Sequence, residues 1–230
     1  MEPFHLFIAS CYEAKDIQIP RIIDNISAVN IPSNYVHIIV GGCPKYETEY
    51  KNGIEIISVT YRCFEFTPLI YIIKNPDIIM FEFAFFAHDT VTFGKNFYNT
   101  IQSDIHKMKM GNFKTMKIEN REMSMNIGIY SKEIILKNKN PLLELELNTN
   151  DKDELMKMKH KLVNYEDFIL SQGNMNTGDA SHNIKCKLVG KEGTVSNGSI
   201  RHYQRIDLIK YQSNNSTIQS IDICIIPNLF

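Results

Sequence analysis

Apolar residues in the first ninety positions fall into short blocks separated by polar clusters, and the period of each block predicts its element. His5–Cys11 is a compact apolar run of strand length that stops at the polar residues 12–16. Within 21–30, Ile22, Ile23, Ile26 and Val29 share one face of a helix, with Pro20 suited to its first turn. Residues 36–40 are rich in β-branched side chains and end at Gly41-Gly42, as a strand entering a tight turn does. A third strand is expected over 53–61, and a second helix over 65–74 with Pro68 in its first turn. The run 78–87 is too apolar for a half-exposed strand and suits the centre of a sheet. Strand, helix, strand, strand, helix, strand is the signature of an α/β fold with a mainly parallel central sheet flanked by helices.

The second half is less regular. A helix is expected over 97–109, with Ile101, Ile105 and Met108 on one stripe. Residues 123–130 alternate as a strand, and 131–138 continue as a helix. A long amphipathic helix over 150–170 opens on Asp151, Asp153 and Glu154, which the helix dipole favours. Residues 173–181 read as a polar loop, and short strand-like segments at 184–189, 206–211 and 221–226 finish the chain. With no repeat and no low-complexity linker, one domain is expected.

Composition narrows the classes. A chain of 230 residues, 43% hydrophobic, can bury a core without disulfides or structural metal. With 25 basic against 26 acidic side chains, a broad basic face for nucleic acid is not expected, although a pocket for one nucleotide is compatible. The 78–87 run is ten residues long and contains Glu82, too short to span a bilayer, so no transmembrane segment is expected. The start Met1-Glu2-Pro3-Phe4-His5 lacks the features of a secretory signal, and five cysteines without a CxxC pair read as reduced thiols of a cytoplasmic protein. Cys11 and Cys43 fall near strand ends but have no neighbour that marks a nucleophile. The 34 Ile, 22 Asn and 20 Lys point to an AT-rich coding genome, as in some large DNA viruses, parasites and low-GC bacteria, and carry no chemistry.

In open α/β sheets, ligands bind beyond the carboxyl ends of the strands. The residues expected there are Ser10, Cys11, Tyr12 and Glu13, then Gly41, Gly42 and Cys43, then Arg62 and Glu65, and last His88-Asp89-Thr90. Gly41-Gly42 lacks the rest of a dinucleotide fingerprint or a P-loop. Asp89 is the informative residue. A carboxylate at the mouth of a buried strand loses hydration and needs a cation, donors or a proton. A divalent ion on a diphosphate meets that need; a side-chain cap on the following turn is the competing reading.

Phe64-Glu65-Phe66, a helix, an apolar strand and then Phe85-Phe86-Ala87-His88-Asp89-Thr90, with Phe93-Gly94 and Phe97-Tyr98 just beyond, resemble a small glycosyltransferase-like family of viruses and bacteria. Its sheet leads into an HDT motif in place of the Asp-any-Asp of the GT-A fold. Asn126-Ile127-Gly128-Ile129-Tyr130-Ser131 is similar to the family's N-x-G-x-Y-S turn, and Lys210-Tyr211-Gln212-Ser213-Asn214 to its KYQ-x-N segment. The likeness spans roughly residues 5–214.

The resemblance implies a single GT-A-like domain, with 1–95 binding the nucleotide sugar and 96–230 the acceptor. The activity it implies is metal-assisted transfer of a sugar from a nucleotide-diphosphate sugar to a glycan or other hydroxyl acceptor, in the cytoplasm (the host's, for a viral protein). Asp89 would hold Mn²⁺ or Mg²⁺, with His88 and Thr90 as further donors. Tyr12 and Glu13 would meet base and ribose beside Ser10, and Arg62 the phosphates. Glu65, Asn126, Tyr130, Lys210 and Asn214 complete the substrate-binding set. The triplet departs from the usual pattern in supplying one carboxylate. For the catalytic base, Asp179 ranks before Glu119 and Glu122, each of which also reads as a solvated surface acid. His182 and His202 are candidates to close the metal site, and Arg201, Arg205 and Lys210 to clamp phosphate; solvated side chains are the competing reading for each. The alternatives to an enzyme are a catalytically inactive nucleotide- or sugar-binding module and an interaction protein with an Ile-rich surface.

Overall fold

The computed structural model describes residues 2–118, 127–146, 154, 157, 169, 171–176, 182–189, 195–213 and 223–225. The first half contains β1 (His5–Cys11), α1 (Lys15–Ala28), β2 (Val36–Gly41), β3 (Glu47–Lys51), β4 (Ile54–Ser58), α2 (Thr67–Lys74), β5 (Phe83–His88), β6 (Val91–Phe93) and α3 (Phe97–Met110). Then come β7 (Thr115–Lys117), β8 (Gly128–Ser131), α4 (Lys132–Lys137), α5 (Lys139–Leu143), β9 (Asn174–Asn176), β10 (His182–Val189), β11 (Val195–Tyr203), β12 (Leu208–Ser213) and β13 (Ile223–Ile225).

β1 lies between β2 and β5 and is parallel to both, and β4 extends the parallel set beyond β2. The full order is β3-β4-β2-β1-β5-β8-β7-β9. Three of its pairings (β3 with β4, β5 with β8, β7 with β8) are antiparallel, so the sheet is mixed and not mainly parallel as the pattern predicts. The reason is local at one edge. Asn52 and Gly53, both at positive φ (52° and 80°), form the two-residue turn that folds β3 back on β4. β3 is exposed throughout, so it leaves no apolar mark in the sequence.

Strand alternation divides the core in two. Leu6, Ile8, Ile38, Val40, Phe85 and Ala87 belong to the cluster that includes Ile22 and Ile26 of α1 and Ile101 of α3. Phe7, Ile39, Ala84 and Phe86 belong to the other, with Leu69 and Ile70 of α2. Burial on both faces accounts for the unbroken apolar runs of β1, β2 and β5. A second, antiparallel sheet runs β13-β10-β11-β12-β6. Since β6 follows β5 after two residues, the chain crosses from one sheet to the other at Asp89-Thr90.

Several boundaries differ from the pattern. α1 begins at Lys15, its first turn closed by Ile17 and Gln18 N–H groups on the Ala14 carbonyl (3.2 and 2.9 Å), so Pro20 lies inside the helix and not in its first turn. There it removes the N–H that would have bonded the Asp16 carbonyl. β5 starts at Phe83, five residues later than the apolar run. The loop expected over 173–181 contains β9, paired parallel to β7. β6, β7 and β11 were not expected as strands. The helix expected over 150–170 lies almost wholly outside the described residues, as does the start of the 123–130 strand. No helix among the described residues is long and apolar enough to cross a membrane.

Candidate functional site

From β1 the chain moves outward to β2 and β4, then returns across β1 to place β5 on its other side. The carboxyl ends of β1 and β5 therefore flank a topological switch point, where open α/β sheets bind ligands. Ala9 pairs with His88, and the Asp89 N–H donates to the Ala9 carbonyl (2.9 Å), extending the ladder by one residue. The Ser10 hydroxyl donates to Asp89 Oδ2 at 2.7 Å. These two side chains meet because alternation gives Ser10 the face of Ile8 and Asp89 the face of Ala87. Asp89 is 8% exposed. Burial pushes its carboxyl from 3.8 up to about 6, against the opposing pull of the Ser10 hydrogen bond and the Arg21 charge.

Arg21 holds the turn. Its guanidinium donates to the carbonyls of Asp89 and Val91 (the latter at 3.0 Å) and to Thr92 Oγ1 at 3.2 Å, while Nε bonds Gln18 Oε1 at 2.9 Å. One turn along α1, the Asn25 amide brackets the main chain of Phe93 (3.0 and 2.8 Å). The turn is fixed from the second sheet as well, by the Tyr211 N–H on the Thr90 carbonyl (2.8 Å). Sequence reasoning used Arg21 only to mark a helix. The available signal was Arg21 and Asn25 at i and i+4, on one side of the helix that follows β1.

A second cluster forms where β1, β2 and β4 end. Tyr12 N–H bonds the Gly41 carbonyl and Gly42 N–H the Tyr61 carbonyl, each at 3.0 Å. Arg62 pairs with Glu13. Its guanidinium crosses Gly42, where a Cβ would lie 2.3 Å from Nε; at φ +78° only glycine suits the position. Beside it the Tyr12 ring is 40% exposed, with Lys15 Nζ 4.8 Å from its centroid.

No protein-family model matches the chain, and no curated protein matches it significantly.

The remaining candidates fall into three groups. Lys210 is buried and in register with Val91, so β12 brings it to the crossing between the sheets. His88 is half-buried, but alternation turns it to the face opposite Asp89, away from a shared donor set; Thr90 is half-buried in the turn itself. Glu65 is half-buried in the 3₁₀ turn Phe64–Phe66, ahead of α2. Tyr130 is a core residue set back from the mouth of β5: it pairs with Ala84 and meets Phe86 edge-on at 5.2 Å. Arg205 bonds buried Asp104 of α3 at 2.6 Å, which makes it a clamp between α3 and the second sheet instead of a phosphate ligand. Arg201 and His202 lie on β11, in register with Lys210 and Ile209, and His182 on β10 pairs with His202. Asp179, Glu119, Glu122, Asn126 and Asn214 lie outside the described residues. The Cys11 thiol is pushed up to about 12, by burial first and by Asp89 second, which suits an inert thiol and not a nucleophile.

Among the described residues, no three His, Cys, Asp or Glu side chains converge as a metal cage. Asp89, with Ser10 beside it, offers a single anionic anchor. That donor set fits a Mg²⁺-type ion that arrives on a diphosphate, because such ions take one or two carboxylates and draw their other oxygens from phosphate and water. It does not fit a resident ion held by protein alone.

Proposed function

We propose that this protein is a nucleotide-sugar-dependent glycosyltransferase of GT-A type, transferring a sugar to a hydroxyl acceptor in the cytoplasm. The observation that carries the reading is the buried Asp89–Ser10 pair at the β1/β5 switch point. Asp89 anchors the diphosphate end of the donor through Mn²⁺ or Mg²⁺, an ion that when bound neutralises charge on the leaving diphosphate. Ser10 orients the carboxylate through Oδ2. Arg21 and Asn25 fix the main chain on which the carboxylate is mounted. Tyr12 offers a ring face to the base, and Glu13, held by Arg62, an acceptor to the ribose. Lys210 adds positive charge at the crossing. Asp179, ahead of Glu119 and Glu122, is the proposed base for the acceptor hydroxyl.

The test is calorimetric binding of nucleoside diphosphates with and without Mn²⁺, together with release of free nucleotide from a panel of nucleotide sugars. Mn²⁺-dependent binding that Asp89→Asn abolishes, with slow donor hydrolysis, is expected. Nucleotide affinity indifferent to both Mn²⁺ and Asp89 overturns the assignment. A second reading, a catalytically silent nucleotide- or sugar-binding module, draws on the single carboxylate in the triplet. It predicts binding without hydrolysis.

A further inference from the structure

The opposite end of the strands opens onto a second cleft, of about 600 Å³, between the start of β1, the segment leading into β5 and the later turns of α3. That volume suits a small molecule. Its apolar walls are Phe4, Tyr35, Met80, Phe81, Phe83 and Ile105. Phe4, Phe83 and Ile105 are buried, and Tyr35 and Phe81 are half-buried. Met80, 73% exposed, adds a polarisable thioether.

The charges on this cleft do not cancel. Glu2 and Glu82 both line it, and both reach the single ammonium of Lys109, at 3.3 and 2.7 Å. Two carboxylates on one ammonium leave one net negative charge. Lys109 is the only Lys or Arg among the described residues that line the cleft, so an incoming anion meets no unengaged cation. His5 adds an uncharged ring, because burial above all pushes it down to about 4. Behind the lining, Glu55 and Lys132 act on His5 with opposite sign and offset each other. The walls already hold one cation of the chain itself: Lys132 Nζ lies 5.5 Å from the Phe81 ring centroid. Aromatic faces attract an ammonium electrostatically, and more strongly where it is desolvated.

We propose that this cleft binds a small organic ammonium ion, a quaternary or alkylated amine whose apolar groups pack on Tyr35, Phe81 and Met80 while its charge offsets the surplus carboxylate of Glu2 and Glu82. A neutral ligand of the same shape gains the packing and leaves the surplus charge unmet. An anion adds to that surplus. The site lies at the amino ends of β1 and β5, whereas Asp89 follows the carboxyl end of β5, so it is separate from the nucleotide site proposed above.

The test is NMR titration of the full chain at pH 8, above the ordinary histidine range, with choline and with its uncharged isostere, in which carbon replaces the ammonium nitrogen. Choline should shift amides within residues 2–5, 80–83 and 102–109 and bind about fivefold more tightly than the isostere. Two substitutions at exposed positions should act in opposite directions. Lys109→Gln releases both carboxylates and should tighten choline binding by about two- to fivefold, whereas Glu82→Gln removes the surplus charge and should weaken it by a similar factor. Loss of a merely structural contact would weaken binding in both. Tyr35→Leu, which removes a ring from the wall, should weaken choline by about two- to fivefold. No shift in the cleft, equal affinity for choline and the isostere, or a Lys109→Gln variant that binds choline no more tightly overturns the proposal. So does a lysine-containing peptide that binds there more tightly than choline, since the cleft would then serve a partner chain. None of these readouts depends on Asp89 or on nucleotide binding.

Discussion

Replacing Asp89 with asparagine removes a buried acid while keeping its shape and an oxygen that can accept from Ser10. The wild-type carboxyl is raised by burial from 3.8 to about 6. Between those pH values the folded protein binds a proton that the unfolded chain has released, so stability falls as pH rises through the window. Below about pH 4 both states are protonated and the effect vanishes. Above pH 6 the native state carries an ionised, poorly solvated carboxylate at a cost of about 3 kcal/mol, at 1.36 kcal/mol for each pKa unit. Asp89→Asn should therefore match the wild type near pH 4 and exceed it by up to about 3 kcal/mol at pH 7, or roughly 6–10 °C in Tm for a chain of this size. Urea unfolding in EDTA at half-unit pH steps reads this directly. A wild-type-minus-variant difference that stays constant from pH 4 to 7, or that favours the wild type at pH 7, refutes the reasoning. A group that burial destabilises in the ligand-free fold is the kind of residue a functional site retains.

Two further substitutions test how the site is held. Arg21→Lys keeps the charge but loses the fork that reaches Asp89, Val91 and Thr92, and should lower stability by about 1–3 kcal/mol in denaturant unfolding. Unchanged unfolding would mean that the turn does not need its clamp. Gly42→Ala puts a Cβ at φ +78° into the path of the Arg62 guanidinium, and should cost more than about 1 kcal/mol and loosen the Glu13–Arg62 pair. A thermal melt coincident with the wild type would refute it.

The central strands were legible because β1, β2 and β5 are buried on both faces and leave apolar runs that no loop imitates. α3 was legible from its stripe, and the helix expected over 131–138 is α4, which starts one residue later because the Ser131 hydroxyl accepts from the Ile134 N–H as its N-cap. β6 and β7, at three residues each, are too short for a period to register, and β3 has no buried face to betray it. At the site, Ser10 and Asp89 could be named because each follows an apolar run, but their hydrogen bond spans 79 positions and has no local signature. The same holds for Arg21, whose partners lie 68 to 71 residues away. His88 shows the limit of reading neighbours along the chain. Adjacency in sequence suggested adjacency in space, and the pleat sends neighbouring side chains to opposite sides.

The fully exposed β3 has a consequence for the molecule among its own copies. As the outermost strand of the large sheet it offers unpaired main-chain donors and acceptors, the usual template for uncontrolled strand addition. Glu47, Glu49 and Lys51 line it, and Lys51 is already engaged by Glu49 at 3.1 Å, so an incoming strand would have to strip water from ionised groups before its first bond formed. The rim most open to aggregation is thus guarded by charge.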